Sequence, residues 1–226
     1  MKGRYCVVIP AVDAADTIGP LVRQVKEQGL GVVVVDDGSR DRTAAAAAAA
    51  GALVISHLRN EGKGRALRTG FEHALRAGYD GVITMDSDGQ HDPTEVPRFI
   101  DTAELQHAAL VLGNRLTNGA AMPPSRRAAN RLMSRLISLL IRQPVPDSQC
   151  GFRFIRREVL ETVPLRGRLY EIETELLIGA ARRKWKIISV PVRSIYENRR
   201  SRIRPVRDAL RFIGVLLRSL TSGAER

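Results

Sequence analysis

The chain is poor in the residues that make disulfides, membrane spans and base-stacking surfaces. Its 226 residues include two cysteines, Cys6 and Cys150, too few for a disulfide framework and without a partner at zinc-ligand spacing. Both are expected to be free thiols. Aromatic residues make up 4% and no nucleic-acid-binding motif is present, which argues against a nucleic-acid partner. No stretch approaches the roughly 18 to 20 apolar residues that span a bilayer. The opening MKGRYCVVIP enters a strand pattern without a signal peptide's long apolar run, so a cytoplasmic protein is expected. Low hydrophobicity is missing as well: 44% of residues are hydrophobic and 27% charged, a globular profile rather than a disordered one.

What the chain does have is an uneven charge. Residues 1–113 carry 12 Lys+Arg against 15 Asp+Glu, and residues 114–226 carry 24 against 9, so the whole formal excess of +12 lies in the second half. Most of the cations are arginines, the side chain that grips phosphate through two parallel hydrogen bonds. An acidic half joined to a basic half suggests metal and phosphate chemistry where they meet. The organisation expected is one domain over 1–226, with a nucleotide and metal half, 1–113, and a basic half, 114–226, divided at the Gly/Pro-rich loop 117–125.

The first half alternates strands and helices. YCVVI (5–9) is an apolar run closed by Pro10, and Ile18, Leu21, Val22 and Val25 recur at helical spacing until Gly29. VVVV (32–35) reads as a strand buried on both faces. An alanine tract that Gly51 ends, LVIS (53–56), a helix through Ala66 to Leu75 and VITM (82–85) continue the pattern, which implies a parallel sheet with right-handed crossovers. Asp92, Pro93 and Glu95 read as a helix N-cap, first position and capping-box glutamate. ALVLG (109–113) is a further strand. In the basic half, Arg127, Arg131, Arg135 and Arg142 share one side of a helix opposite Leu132, Met133, Leu136 and Leu140.

Open parallel sheets bind ligands beyond the carboxyl ends of their strands, and two acidic clusters stand there. Asp36-Asp37-Gly38-Ser39 follows VVVV; its carboxylates suit hydrogen bonds to a base or ribose, and equally turn and helix-cap chemistry. Asp86-Ser87-Asp88-Gly89-Gln90-His91 follows VITM. Carboxylates two residues apart in a turn converge on a hard divalent cation, with Gln90 adding a neutral oxygen and the cation neutralising a diphosphate. His91 reads as a hydrogen-bonding neighbour rather than a ligand. Asn60-Glu61-Gly62-Lys63-Gly64-Arg65 puts cations and glycines at a helix start, where an anion would bind. It lacks P-loop spacing, and no dinucleotide fingerprint follows the first strand.

IPAVDAADTI, VVDDGSRDRT, NEGKGRALRTG, MDSDGQHDP, GNR and QCGFRFIRREVL, in this order over about residues 5–205, resemble glycosyltransferase family 2, and within it the polyprenyl-phosphate glycosyltransferases similar to dolichol-phosphate mannose synthase. The resemblance implies an α/β, Rossmann-like A-type glycosyltransferase fold with a mostly parallel sheet. It implies that Pro10, Asp36 and Asp37 help hold a GDP- or UDP-linked sugar, that Asp86 lies against the donor, and that Asp88 and Gln90 bind Mg2+ or Mn2+. The family's IPAYNEA is here IPAVDAA. A carboxylate is thus missing at Ala14, and Asp13 or Asp16 is the candidate replacement.

The activity implied is metal-dependent transfer, with inversion, to a polyprenyl phosphate. A phosphate monoester is already a dianion near neutral pH and needs cationic positioning rather than a general base. Arg115 from GNR, Arg131, and Arg199, Arg202 and Arg204 from ENRRSRIRP are the candidates, with Asp86, Asp88 and Arg202 expected to be catalytic. Glu171, Glu173 and Glu175 alternate; on a helix, 171 and 175 share a face and 173 points elsewhere. Glu173 is a candidate to orient a donor hydroxyl, or to act as base if the acceptor is a sugar hydroxyl, which is the alternative activity. A silent nucleotide-binding relative is the other alternative, motivated by Val12 to Ala14. Residues 206–222 form an amphipathic pattern suited to an anionic membrane surface, to the domain itself, or to a second subunit in a homo-oligomer.

Overall fold

The computed structural model describes residues 3–117, 122–169 and 171–193. Seven strands form one sheet in the order β3-β2-β1-β4-β6-β5-β7. They are β1 (Tyr5–Ala11), β2 (Gly31–Asp36), β3 (Leu53–Ser56), β4 (Gly81–Thr84), β5 (Leu110–Asn114), β6 (Arg153–Arg156) and β7 (Ile187–Pro191). All neighbours are parallel except β6, which runs antiparallel to β4 and β5. The helices are α1 (Ala15–Lys26), α2 (Thr43–Ala49), α3 (Lys63–Arg76), α4 (Val96–Leu105), α5 (Pro124–Ile141), α6 (Arg157–Thr162) and α7 (Glu171–Arg182).

The valine run of β2 explains the layering. Successive side chains of a strand point to opposite faces. Val32 and Val34 pack with α1, α2 and α4 on one face, and Val33 and Val35 pack with α3 on the other, where α5, α6 and α7 also lie. β1 continues through Pro10, expected to close it, as far as Ala11. The absent N–H is tolerated there because pairing with β4 stops at Val8, two residues earlier.

One further expectation needs correction, and two features have no counterpart in the sequence. Asp92 does cap its helical turn, accepting from the Thr94 N–H, but that turn is a short 3-10 segment, Pro93–Glu95. Glu95 does not reach back to complete a capping box; its carboxylate accepts the Arg193 N–H. The strand β6, within GFRFIRR, has no counterpart in the sequence reading. The side of α5 that meets the protein, on which the helical wheel is silent, is not the leucine stripe. Leu132 is 61%, Leu136 44% and Leu139 76% exposed, whereas Asn130, Ser134 and Ile137 are buried. The cause is a polar seat beneath the helix: Asn130 Nδ2 donates to Asp147 Oδ1 (2.7 Å), and the Ser148 N–H donates to Ser134 Oγ (2.8 Å). α5 docks through these polar groups together with Ile137, Met133 and Ile141, which leaves Leu132, Leu136 and Leu139 outward.

Candidate active site

Buried β4 delivers Asp86 to the end of the sheet. Lys63 Nζ, from the first residue of α3, lies 2.6 Å from Asp86 Oδ1 and 2.8 Å from Glu173 Oε1 on α7. His91 Nε2 lies 3.2 Å from Asp86 Oδ2. Glu173 is held a second time by Arg153, whose Nη2 is 3.7 Å from its Oε2. Arg153 is fully buried in β6 and donates to the carbonyls of Ser148, Cys150 and Glu173. The result is an alternating chain, Arg153, Glu173, Lys63, Asp86, His91, that ties the basic half to the acidic half. Burial opposes charge on both Lys63 and Asp86, but their mutual attraction outweighs it: the ammonium is held above its ordinary range and the carboxyl below.

Gly151, from the QCG segment, makes room for Asp86. A Cβ at this position would lie 2.5 Å from Asp86 Oδ2, and Thr84 Oγ1 donates to the Gly151 carbonyl (2.7 Å). Two motifs that are distant in sequence therefore meet as one surface.

Asp88 and Gln90 lie further out. Asp88 is exposed, with Oδ1 accepting the Gln90 N–H (3.0 Å), and Gln90 is half-buried. Thr17 Oγ1 fixes the turn against α1 by donating to the Ser87 carbonyl (2.7 Å). Among the described residues no three His, Cys, Asp or Glu side chains converge as a metal cluster. Two hard oxygen donors at an open edge nevertheless fit Mg2+ or Mn2+, ions that take their remaining ligands from water and substrate phosphates. Asp86 is engaged by Lys63 and His91 instead. His91 is buried, edge-on to Phe152 at 5.2 Å, and is the hydrogen-bonding neighbour expected.

The DDGS carboxylates reach the site but turn toward protein donors. Asp36 accepts from the Ser39 N–H and hydroxyl. Asp37, 3% exposed, accepts from the Glu61 N–H (2.9 Å), the Gly62 N–H (2.8 Å) and His57 Nδ1 (2.8 Å). Pro10 is buried beneath them in β1. Of the two candidates to replace a carboxylate at position 14, Asp13 is the one against this turn: its Oδ1 accepts the Arg40 N–H and its own N–H donates to Ser39 Oγ. Ala14 is buried in the core.

At the start of α3, where an anion contact is expected, the amides and Lys63 have protein partners. The amides of Gly64 and Arg65 donate to the Arg168 carbonyl (2.8 and 3.3 Å), and Lys63 pairs with Asp86 and Glu173. The segment before α7 thus acts as a strap. Its Arg166 and Gly167 amides donate to Glu175, and its Leu169 amide donates to Glu171. Glu171 and Glu175 share a face and Glu173 points away, as the spacing predicts.

The Arg115 guanidinium forms a two-pronged pair with Asp147 (2.8 and 3.0 Å). Burial opposes ionisation of Asp147, but Arg115 outweighs it and holds the carboxyl below its ordinary value. Arg131 is exposed on α5. Arg199, Arg202, Arg204 and the stretch 206–222 lie outside the described residues. Cys6 and Cys150 are free and buried, and burial pushes both thiols up to about 12. Sequence reasoning missed His57, Asp147 and Arg153; only Arg153 carried a signal, through its place in the QCGFRF motif.

A mostly parallel sheet with carboxylates after its second and fourth strands, and a lysine clamp beside an open Asp-x-Asp turn, has the architecture of a nucleotide-sugar glycosyltransferase of A-type fold. The chain belongs to glycosyltransferase family 2, whose model matches residues 6–163. It is 31% identical over 213 residues to the UDP-N-acetylglucosamine–dolichyl-phosphate N-acetylglucosaminyltransferase of Methanococcus voltae, covering 84% of this chain and 85% of that one. It is 29% identical over 203 residues to the polyprenol monophosphomannose synthase of Mycolicibacterium smegmatis, covering 84% and 76%. Glucosyl-3-phosphoglycerate synthase from Mycobacterium tuberculosis, solved with Mn2+, uridine diphosphate and phosphoglyceric acid, superposes with a TM-score of 0.74 at 26% identity, over 96% of this chain and 78% of that one. Family and fold are those that the ordered motifs implied.

Proposed function

We propose that the chain transfers a sugar, with inversion, from a GDP- or UDP-linked donor to a polyprenyl phosphate, using Mg2+ or Mn2+ held by Asp88 and Gln90. The observation that carries the choice of acceptor is the state of Glu173. It is 6% exposed and held between Lys63 and Arg153, so it is not placed to take a proton from an acceptor hydroxyl. An acceptor that arrives already ionised requires no such group. The two relatives, one a dolichyl-phosphate and one a polyprenol enzyme, agree with this choice.

In the reaction a phosphate oxygen attacks the anomeric carbon, the bond from that carbon to the nucleoside diphosphate breaks, and its electron pair leaves with the diphosphate. Lys63 holds Asp86 in place against the donor, and Gly151 leaves space for its carboxylate. Asp88 and Gln90 would hold a divalent cation, whose charge would neutralise the departing diphosphate. Residues 1–113 form the donor side and 114–226 the acceptor side of one catalytic domain, with Arg202 and its neighbours as the phosphate grip.

No helix among the described residues is long and apolar enough to cross a membrane. The outward leucines of α5, on a helix that also exposes Arg131 and Arg135, support a peripheral position on an anionic bilayer. The test is a screen of labelled GDP- and UDP-sugars with Mg2+ or Mn2+ and a polyprenyl phosphate, run on the parent and Asp88→Ala. Divalent-dependent glycolipid formation that falls at least a hundredfold in the folded variant is expected; transfer unaffected by EDTA, or only to hydroxyl acceptors, refutes it.

A further inference from the structure

We propose that His57 is a positioning residue of the donor site, acting through Asp37, an inference that rests on the nucleotide-sugar reading above. His57 follows β3 directly, and its N–H donates to the Asp36 carbonyl (2.8 Å). Its ring bridges two elements: Nδ1 is 2.8 Å from Asp37 Oδ1, and Nε2 is 3.0 Å from Thr69 Oγ1 on α3. An ionised carboxylate only accepts. Nδ1 therefore carries a hydrogen, and Nε2 is within hydrogen-bonding distance of the Thr69 hydroxyl.

Asp37 does not stop at the histidine. The same Oδ1 takes the Glu61 N–H and Oδ2 takes the Gly62 N–H, so the orientation of this one carboxylate sets the backbone of the loop between β3 and α3. Leu58, Arg59, Asn60 and Glu61 in that loop are all exposed. The loop lies directly on the DDGS turn: Gly38 has φ +69, and a Cβ there would lie 2.6 Å from the Asn60 nitrogen. Together, turn and loop form the rim beyond the end of β2, the place where an open parallel sheet holds a nucleoside. The next residue, Lys63, is the cation that holds Asp86. His57 thus sets the carboxylate that sets both the rim and the clamp.

The two amide isosteres of histidine separate positioning from mere bracing. Asparagine places its NH2 near the former Nδ1 and keeps the bond to Asp37; glutamine places it near the former Nε2 and keeps only the side toward Thr69. The experiment measures Kd for UDP and GDP, melting temperature, and hydrogen exchange at the Glu61 and Gly62 amides in the full chain, the His57→Asn variant and the His57→Gln variant. The expected result is that His57→Asn binds nucleotide within about twofold of the parent and keeps both amides protected. His57→Gln should bind about tenfold more weakly, the scale of one lost hydrogen bond to a charged group, and exchange both amides at least about tenfold faster at a similar melting temperature. Equal behaviour of the two variants, or nucleotide affinity that simply follows melting temperature, overturns the inference. If the parent binds neither nucleotide while the amide exchange still splits the variants, the donor reading is what fails, and with it the donor-site role of His57.

Discussion

Gly151→Ala tests whether the QCG segment of the basic half sets the position of Asp86. The added Cβ would lie 2.5 Å from Asp86 Oδ2, against about 3.3 Å for an ordinary close C···O contact, so the carboxylate must retreat by roughly 0.8 Å. Retreat is resisted on both sides, by Lys63 at 2.6 Å and by His91 at 3.2 Å. Misplacing a reacting group by about 1 Å costs on the order of a hundredfold in rate, whereas overpacking one methyl costs about 1–3 kcal/mol of stability. For a chain of this size that is a melting shift of roughly 2–12 °C. The expected outcome is a kcat/KM for the nucleotide-sugar near one hundredth of the parent's, measured well below the melting transition. Activity within about threefold of the parent, or a loss that vanishes on cooling, would show that Asp86 has room to spare.

Asp147→Ala leaves the inward-facing Arg115 guanidinium without its partner, and loss of one member of such a pair costs about 3–5 kcal/mol, read as a fall in denaturant midpoint. The same carboxyl is held below its ordinary value, so the unfolded chain binds the proton more readily. Its stabilising contribution is complete above the ordinary carboxylate range near about pH 4 and is lost as pH falls through the lower native value. Asp147→Asn should therefore flatten the acid limb of the stability curve; an unchanged limb would contradict the assignment. Replacing Leu132 and Leu139 together by serine should leave the melting temperature nearly unchanged, since exposed substitutions stay within about 0.5 kcal/mol, yet reduce co-sedimentation with anionic vesicles. Loss of fold in that variant would mean that the leucines are covered by protein.

The strands of the first half were legible because each is a short apolar run bounded by turn residues, and burial on both faces leaves no other arrangement for VVVV. β6 was not, because Arg153 and Arg156 in GFRFIRR have the look of surface residues. In the folded chain Arg153 spends its donors on buried carbonyls, and Arg156 reaches the Ala103 and Ala108 carbonyls. A helical wheel showed that α5 has a leucine stripe but carries no information on which side the protein lies. That side was decided by Asp147 and Ser148, residues with no periodicity of their own.

Within the site the same division recurs. Asp86 and Asp88 could be read because carboxylates following a buried strand have few structural reasons to be there, and the distinct surroundings of the two, one clamped and one open, appear only when α3 and α7 are in place. The protein partner of NEGKGR is one no local motif encodes: the carbonyl of Arg168, far along the chain, accepts from the α3 amides. Lys63 is likewise balanced by Glu173 from the second half as well as Asp86 from the first. Inside the site the two halves are therefore joined by one ion pair, a cation of the acidic half with a carboxylate of the basic half. Among the described residues, the outward-facing groups beside that pair are the open edge of Asp88 and Gln90 and the rim that Asp37 holds.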